Sequence, residues 1–581
     1  MDSQRNSTPL YWNPKGASDT LDGTEAFSGA MAALGNLIPD PSSPNLWQCR
    51  PAAVQLTNFP GFSAPGFVSC LKVAGNFAYG MIATSRNPGH DEPFVYNIFT
   101  NTFVTVTGAI TTATTPASPP TSGAWTPPIM DIIGAKVVLT HPGFAAGTNF
   151  FGWIDISVPA TPVWNAGNLT GALSFNTIPT FVAQFNNRAY YIVNTVAQPA
   201  VVFSDPLNAI NVTAGTQSLT FGDTVPLTCL GQLRLYNQLG GIIQGLIVFK
   251  GVQNCYQVTG DAALNNLAVN ALNVATGTLS PLAIAATKAG LAFISPDGAR
   301  VIDFTGTVSD VIGKHGQGVA VPFISSAVPS RMCMACTGDV ARISTQNAAA
   351  LNTPQQEWWY HLAAKAWSGA HNFPASLIQP WNNTFVMAPI SVTGSLWQSD
   401  VVQSGSSVFV ENGVQMTFNY TTSFFPNTQK MTNIAISFTT LDMALNPGQP
   451  INITALSQDF KVFDATQIIV AGAGGSTSTW GSFTWGAAPW GSSVSSTSLV
   501  PRQVPWHLPI VAAKLAIMVN GPSSNAIKLG GLGMRCIGQA GDDCIIIRHH
   551  LGGIRRGAIR QSKRQGAWHT GRSRWRKQCT E

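Results

Sequence analysis

Short runs of apolar and β-branched residues alternate with polar turn clusters along most of the chain. The runs at 94–99 and 102–106 flank a polar Thr-Asn turn, and this arrangement predicts a β-hairpin. Further hairpin-like pairs occur at 131–156, 181–205, 241–260, 290–304 and 358–389. Together these are about six loosely similar units at intervals of about 50 residues, which is within the range of propeller blades. The pattern predicts an all-β fold with a β-propeller of about six blades at residues 51–400.

The flanking regions have different patterns. Residues 1–50 are rich in Ser, Asn, Pro and Gly, which predicts an extended N-terminal arm. Alternating strands return after a Gly/Ser seam at 404–407, so residues 401–541 are interpreted as a second, β-sandwich-like domain. This domain includes a Trp-Gly step repeated every five residues, at Trp480, Trp485 and Trp490. We interpret these tryptophans as candidate assembly or packing contacts, and a sugar-stacking platform is the alternative.

Charge is scarce and unevenly distributed. Only 10% of residues are charged, against about 25% in ordinary soluble domains, and this favours a component of an assembly. The net charge of +6 comes from a basic C-terminal tail at 542–581, because the remaining chain has a net charge of −1. The candidate nucleic-acid contacts in this tail are Arg548, Arg555, Arg556, Arg560, Lys563, Arg564, Arg572, Arg574, Arg576 and Lys577. A solvated disordered extension and a shifted reading frame are the alternatives for the same segment.

The cysteines and the apolar runs indicate the cellular compartment in which the protein is expected. The nine cysteines are odd in number and irregularly spaced, so free thiols in a reducing cytoplasm are expected rather than a disulfide framework. The N-terminus has no apolar signal-peptide core. The apolar runs 242–248 and 282–294 are too short or carry Thr287 and Lys288, so no membrane span is expected.

Catalytic and metal-binding motifs are sparse. The His90-Asp91-Glu92 cluster is a candidate pair of glycosidase carboxylates, but its Asn-Pro-Gly context favours a solvated turn. Cys333 and Cys336 have the spacing of half a zinc site without a second half, and we interpret them as two strand cysteines. We therefore expect no catalytic residues, no metal and no cofactor, and predict that the protein is not an enzyme.

The order of motifs between Val202 and Gly313 resembles that of tail nozzle proteins of short-tailed bacteriophages, also called tail hub or packaged-DNA stabilisation proteins. The segments that carry the resemblance are Phe203-Ser204-Asp205-Pro206, Gly222 to Thr228, Gly245 to Lys250, Val258 to Asp261, Gly277 to Pro281 and Gly290 to Arg300. They cover about a fifth of the chain. The Trp-Gly repeat is similar to segments of phage tail proteins.

The resemblance implies a structural virion protein made in the host bacterial cytoplasm and located in the virion tail. It implies a homohexameric ring below the portal and the adaptor, or head-to-tail connector, which retains packaged double-stranded DNA and conducts it during ejection. Tail fibre or tailspike proteins are the further implied partners, without stable membrane insertion. The basic tail departs from this pattern, because nozzle channels let DNA slide. The alternative function is a glycan-binding or glycan-cleaving propeller, such as a receptor-binding tail component.

Overall fold

Nearly all of the regular secondary structure in the described part of the chain is β-strand. The computed structural model describes residues 7–12, 16–17, 30–40, 43–58, 67–83, 91–108, 126–144, 149–236, 241–260, 262–264, 266–312, 331–345, 356–372, 375–389, 395–399, 409–411, 414–422, 434–444, 450–457, 462–469, 500–504, 508–512, 515–523 and 528–538. All of them belong to one unit, Met1–Gly538. These residues include a short 3-10 helix, Ala262–Leu264, and none of their helices has the length and apolar character needed to cross a membrane.

Seven antiparallel sheets form a closed ring, because the innermost strand of each contacts the innermost strands of both neighbouring sheets. Sheets in such a ring are the blades of a β-propeller. Six of these blades have four strands and one has three. The prediction of an all-β propeller is therefore confirmed, and the ring has seven blades where about six were predicted.

Each blade is numbered in chain order, and its strands are given from the innermost outwards. Blade 1 consists of Phe67–Ala74, Phe77–Ala83, Asp91–Asn97 and Thr102–Val104, and blade 2 of Ile129–Ile133, Lys136–Thr140, Phe151–Asp155 and Val163–Gly167. Blade 3 consists of Phe181–Phe185, Arg188–Asn194, Pro199–Phe203 and Ser218–Thr220, and blade 4 of Leu227–Tyr236, Ile242–Lys250, Asn254–Thr259 and Ala268–Ala271. Blade 5 consists of Ile284–Thr287, Gly290–Ser295 and Gly298–Ile302, and blade 6 of Cys333–Thr337, Val340–Thr345, Gln356–His361 and Ala366–His371. Blade 7 consists of Ala375–Trp381, Thr384–Pro389, Ser395–Ser399 and Val54–Asn58.

Local sequence explains the hairpins within the blades. In blade 3 a two-residue turn, Asn186-Asn187, joins the first two strands, and both residues have positive φ, 46° and 59°. Asn tolerates this left-handed conformation, and two such residues match the twist of a tight hairpin. The second strand, Arg188–Asn194, is buried at six consecutive positions because blades pack on both of its faces. Its apolar run therefore does not alternate with polar residues.

The ring is closed by strands from distant parts of the sequence. The outermost strand of blade 7, Val54–Asn58, pairs antiparallel with Ser395–Ser399. At the same junction, Trp381 Nε1 donates a hydrogen bond to the carbonyl oxygen of Gly75, 2.9 Å away, which joins blade 7 to blade 1. Blade 7 is therefore complete only when a strand that precedes blade 1 in the sequence pairs with it.

Two larger sheets form the additional β-domain. The seven-stranded sheet contains Ser7–Trp12, Leu37–Asp40, Ser43–Cys49, Ile434–Ala444, Val500–Val504, Leu508–Ala512 and Lys528–Gly538. The other sheet adds Gly16–Ala17, Ala30–Gly35, Thr417–Thr422, Pro450–Ser457, Val462–Ile469 and Leu515–Pro522 to blade 6, which gives ten strands. Two short pairs complete the described strands, Thr170–Gly171 with Asn211–Val212 and Val410–Glu411 with Val414–Gln415. Apolar side chains of both large sheets share one buried core, as expected of a sandwich-like domain.

The additional domain and the propeller share this ten-stranded sheet. Leu34 of the strand Ala30–Gly35 pairs with Gly369 of blade 6 on one side, and the same strand pairs with Thr417–Thr422 on the other. Residues 1–50 were expected to form an extended arm. Their described strands instead pair with blade 6 and with strands between residues 417 and 538. This pairing buries at least 99% of the Met31, Leu34 and Trp47 surface, which favours it over an extended arm.

Candidate binding sites on the propeller

The innermost strands of the seven blades surround a central cavity of about 290 Å³. Most of its lining side chains are apolar, for example Leu71, Met130 and Val182, and its charged lining groups are Lys72 and Asp131. A volume of this size corresponds to about ten water molecules at about 30 Å³ each. The cavity has room for solvent or a small ligand, and not for a nucleic-acid duplex.

Polar contacts join blades 1 to 4 in series beside this cavity. Lys72 Nζ of blade 1 lies 2.8 Å from Asp131 Oδ1 of blade 2. Asp131 Oδ2 accepts a hydrogen bond from the backbone amide nitrogen of Gln184 of blade 3 at 2.6 Å. Gln232 Nε2 of blade 4 then donates to Gln184 Oε1 at 2.7 Å. This series fixes the relative positions of four blades at one end of the ring.

The same end carries contacts between the turns that follow the innermost strands, here called the inner turns. Each contact joins one blade to the next, from blade 5 round to blade 1. They are Lys288 Nζ to Asp339 Oδ1 at 2.7 Å, Thr337 Oγ1 to the Asn382 carbonyl oxygen at 2.9 Å, and Trp381 Nε1 to the Gly75 carbonyl oxygen at 2.9 Å. Between blades 4 and 5 the contact lies further out, where the Tyr236 amide donates to the Phe304 carbonyl oxygen at 2.7 Å.

A groove of about 420 Å³ lies inside that outer contact, between blades 3, 4 and 5. We call it the blade 4–5 groove. Its functional lining groups are aromatic rings, side-chain amides, one guanidinium and one hydroxyl. They are Phe185, Gln232, Arg234, Gln244, Thr287 and Phe304. Its volume is within the range of small-molecule sites, and this combination of groups is typical of them.

The Asp91 carboxylate lies in a buried hydrogen-bond network and not in a solvated turn. Asp91 and Glu92 begin the third strand of blade 1 and are 0% and 8% exposed, so the interpretation as a solvated turn is wrong for both. Asp91 Oδ2 accepts from Ser69 Oγ at 2.5 Å and lies 3.0 Å from His141 Nε2. These partners come from blades 1 and 2 and both contact Oδ2, whereas Asp91 Oδ1 is buried without a hydrogen-bond partner within the described residues. His90 lies outside the described residues.

A second buried network lies where blades 6 and 7 meet. Glu357 Oε2 accepts from Arg342 Nε at 2.9 Å, from Arg342 Nη2 at 2.6 Å and from Trp359 Nε1 at 2.8 Å. The Arg342 guanidinium also lies over the Trp359 ring at 4.3 Å and the Phe385 ring at 4.9 Å. Within the described structure, Glu357 Oε1 is buried without a hydrogen-bond partner. The pair is fully enclosed, so its role is structural cohesion between blades.

Two histidines continue this network towards the additional domain. Ser368 Oγ lies 2.8 Å from His361 Nε2 and 3.0 Å from His371 Nε2, and the Asn36 amide donates to His371 Nδ1 at 2.9 Å. His371 Nε2 therefore carries the proton and donates to Ser368, whose hydroxyl donates in turn to His361. Burial lowers the pKa of His361 to about 3. Burial, with the charges of Arg50, His361 and Arg342, lowers the pKa of His371 well below its ordinary 6.5.

Cys333 and Cys336 lie on the innermost strand of blade 6, which confirms their interpretation as strand cysteines. Their odd spacing places them on opposite faces of that strand. Burial, followed by the charge of Glu357, raises the pKa of the Cys333 thiol to about 12, and burial together with Asp339 raises that of Cys336 to about 11. Within the described residues, no group of three or more His, Cys, Asp and Glu side chains is placed to hold a metal ion.

The structure does not describe the candidate contact residues that were named from the sequence. Trp480, Trp485 and Trp490, and the ten basic side chains between Arg548 and Lys577, fall outside the described residues. The blade 4–5 groove was not foreseen from the sequence. Alternation of exposed Gln232, Arg234 and Tyr236 with buried leucines is the signal that could have indicated it.

The sequence matches no protein-family model and no curated protein. Solved structures similar to this chain include the WD40 domain of SCAP from fission yeast, with 9% identity over 82% of this chain and 95% of that one, at a TM-score of 0.30. The Bombyx mori GH32 beta-fructofuranosidase BmSUC1 has 10% identity over 84% and 93%, at a TM-score of 0.25. The Trypanosoma rangeli sialidase has 8% identity over 70% and 90%, at a TM-score of 0.27.

These similarities bear on one expectation from the sequence. The prediction that this protein is not an enzyme rested on the scarcity of catalytic motifs, and it is not upheld, because the similar structures include a beta-fructofuranosidase and a sialidase. At such low identities and TM-scores, the similar structures assign no activity to this chain. Its propeller fold is established by its own sheet topology.

Proposed function

We propose that the protein is a structural component of a bacteriophage tail, a nozzle whose copies form a hexameric ring at the end of the portal and adaptor channel. Ring closure would retain packaged DNA, and opening would conduct it during ejection. The adaptor above the ring, tail fibres or tailspikes around it and the double-stranded DNA within it are the proposed partners. This proposal places the protein in the virion tail after synthesis in the bacterial cytoplasm.

The observation that carries the proposal is the sheet shared by the propeller and the additional β-domain. Backbone pairing between Leu34 and Gly369 makes the strand Ala30–Gly35 continuous with blade 6. Domains joined by a linker are free to move, whereas domains that share a sheet and a core move together. A ring that holds pressurised DNA needs protomers of the second kind, and the motif order at 202–313 is the other support.

The propeller cavity constrains where DNA would pass. Its volume of about 290 Å³ is too small for a duplex whose major groove alone is about 12 Å wide. Under this proposal, the DNA channel lies on the axis of the ring, between protomers. The propellers themselves would form the wall of that channel.

The mass of the native assembly tests the proposal. The full-length chain of 61.4 kDa is purified without denaturant and measured by native mass spectrometry, and the same sample is imaged by negative-stain electron microscopy. Six copies around an open or plugged axis are expected. A monomer or a trimer at concentrations up to about 10 µM, where ordinary specific interfaces are occupied, would contradict it.

Glycan binding is the second candidate function. The blade 4–5 groove favours it, because the groove combines the aromatic Phe304 with the side-chain amides of Gln232 and Gln244. Aromatic faces pack on the C–H surfaces of sugars, and side-chain amides bond their hydroxyls. This function would suit a receptor-binding tail component. Binding of oligosaccharides to the purified chain, measured by isothermal titration calorimetry, tests it.

A further inference from the structure

The blade 4–5 groove presents several polar groups from a single hairpin face. Along Leu227–Tyr236, Leu233 and Leu235 are buried, while Gln232, Arg234 and Tyr236 point to the exposed side. The paired strand places Gln244 directly opposite Arg234, so their side chains share that face. A guanidinium and two amides are thereby brought to one wall of the groove.

Three other arginines of the described structure bind a carboxylate, whereas Arg234 does not. Arg50 pairs with Glu411, Arg300 with Asp297 and Arg342 with Glu357. Arg234 makes no ion pair or hydrogen bond within the described residues, and the described lining of the groove contains no Asp or Glu. Because a guanidinium in a concave site binds carboxylates in a bidentate manner, the charge complementarity favours an anionic ligand.

The remaining groups suit a hydroxyl-rich ligand. Gln232 is held by its Nε2 atom, which donates to Gln184 Oε1 at 2.7 Å, so its Oε1 is left as an acceptor for a ligand hydroxyl. Phe304 packs edge-on against Tyr236, with ring centroids 5.9 Å apart. This contact supports one side of the Phe304 ring, so the groove has an aromatic wall of fixed orientation for a sugar ring to pack on.

We propose that the blade 4–5 groove binds an acidic carbohydrate, with Arg234 holding the sugar carboxylate, Gln232 and Gln244 bonding hydroxyls, and Phe304 packing on the ring. The inference rests on the second candidate function and is independent of ring formation. It names the ligand class as sugars that carry a carboxylate. An acidic peptide is the competing ligand, and it would leave the aromatic wall and the Gln232 acceptor without use.

The test measures binding by isothermal titration calorimetry to tetragalacturonate, to sialyllactose and to tetragalactose, the carboxyl-reduced counterpart of the first. Wild-type protein should bind at least one acidic probe at least tenfold more tightly than tetragalactose. Arg234→Gln should abolish that preference and leave tetragalactose binding unchanged. Phe304→Ala should weaken the binding of every sugar probe that wild type binds severalfold. Lys136→Gln, which removes one positive charge from a surface pair in blade 2, should change neither.

Each contrary result has a separate meaning. If wild type binds neither acidic probe, or if Arg234→Gln binds them as wild type does, the acidic-sugar inference fails. If tetragalactose binds as tightly as both acidic sugars, the groove binds glycans without acid specificity, so the second candidate function stands while this inference fails. If a tetraglutamate peptide binds more tightly than both acidic sugars and is lost in Arg234→Gln, the ligand is an acidic peptide and the inference is overturned. Thermal unfolding of each variant identifies any loss of binding that comes from misfolding.

Discussion

His141 Nε2 lies 3.0 Å from Asp91 Oδ2 and joins blade 2 to blade 1 through two fully buried side chains. The Gly143 amide donates to His141 Nδ1 at 2.9 Å, so Nε2 carries the ring proton and donates a hydrogen bond to the carboxylate. Ser69 Oγ donates to the same Asp91 oxygen. The carboxylate therefore holds two blades by accepting from both.

Asp91→Ala should destabilise the propeller by about 2–4 kcal/mol, because it leaves the buried hydroxyl of Ser69 and the buried N–H of His141 without an acceptor. Chemical denaturation monitored by tryptophan fluorescence measures the loss. Asp155→Ala is the control, since its carboxylate is partly exposed, lies 3.7 Å from Lys136 and accepts a hydrogen bond from the Ser157 amide at 3.0 Å. That control should cost about 1 kcal/mol or less, because solvent can replace these contacts. Equal effects of the two substitutions would show that the Asp91 network is not a structural link.

The Arg342–Glu357 pair should behave as a unit. Glu357→Gln alone leaves a buried guanidinium without its counter-charge, and Arg342→Met alone leaves a buried carboxylate, so each should cost about 3–5 kcal/mol. The double variant should cost clearly less than the sum of both, because no uncompensated charge remains. A double-mutant cycle by chemical denaturation gives the coupling.

The control cycle uses the exposed pair Lys288 and Asp339, whose side chains are 68% and 56% exposed. Solvent screens such a pair, so its coupling should be below about 1 kcal/mol. Additive effects of Arg342→Met and Glu357→Gln would show instead that the two side chains stabilise the blades independently.

Stability should fall when the pH is lowered below about 6.5. His361 and His371 are neutral in the folded protein because their pKa values are depressed, whereas both bind a proton near pH 6.5 once unfolded. The unfolded state therefore binds more protons than the folded state. The free energy of unfolding should decrease as the pH falls from 6.5 to about 3, where His361 becomes protonated in the folded protein too. At pH 5 the loss attributable to His361 is about 2 kcal/mol.

Thermal unfolding between pH 8 and pH 4 measures this dependence. His361→Gln keeps a polar side chain and removes the titrating group, so its stability curve should be flatter below pH 6.5 than that of wild type. The stability of wild type relative to His361→Gln should be highest at pH 8, where the wild-type histidine is neutral in both states, and should decrease steadily as the pH falls to 4. Parallel curves over the whole range would show that His361 does not titrate on unfolding.

The sequence predicts the hairpins within the blades better than the contacts between blades. Turns such as Asn186-Asn187 and the strands beside them are local, so residue pattern alone predicts the hairpins. The strand Val54–Asn58 joins blade 7 across more than 300 residues, and no local pattern indicates that pairing. The same limit applies to Asp91, whose neighbours in sequence indicate a turn, while its partner Ser69 lies on the first strand of blade 1 and its partner His141 follows the second strand of blade 2.

The basic tail offers a further prediction that follows from charge distribution. The last described strand, Lys528–Gly538, is paired within the seven-stranded sheet, so a chain truncated after Gly541 keeps every described strand and should fold and assemble as the full chain does.

The truncation removes ten basic side chains between Arg548 and Lys577, and the remaining body has a net charge near zero. Binding of a fluorescent 30-base-pair DNA duplex, measured by anisotropy over a range of salt concentrations, should therefore be lost with the tail. In the full chain, the logarithm of affinity should fall against the logarithm of salt concentration with a slope of about −0.9 per phosphate contact. Equal binding by both chains would place the DNA contacts in the body of the protein and leave the tail as a solvated extension.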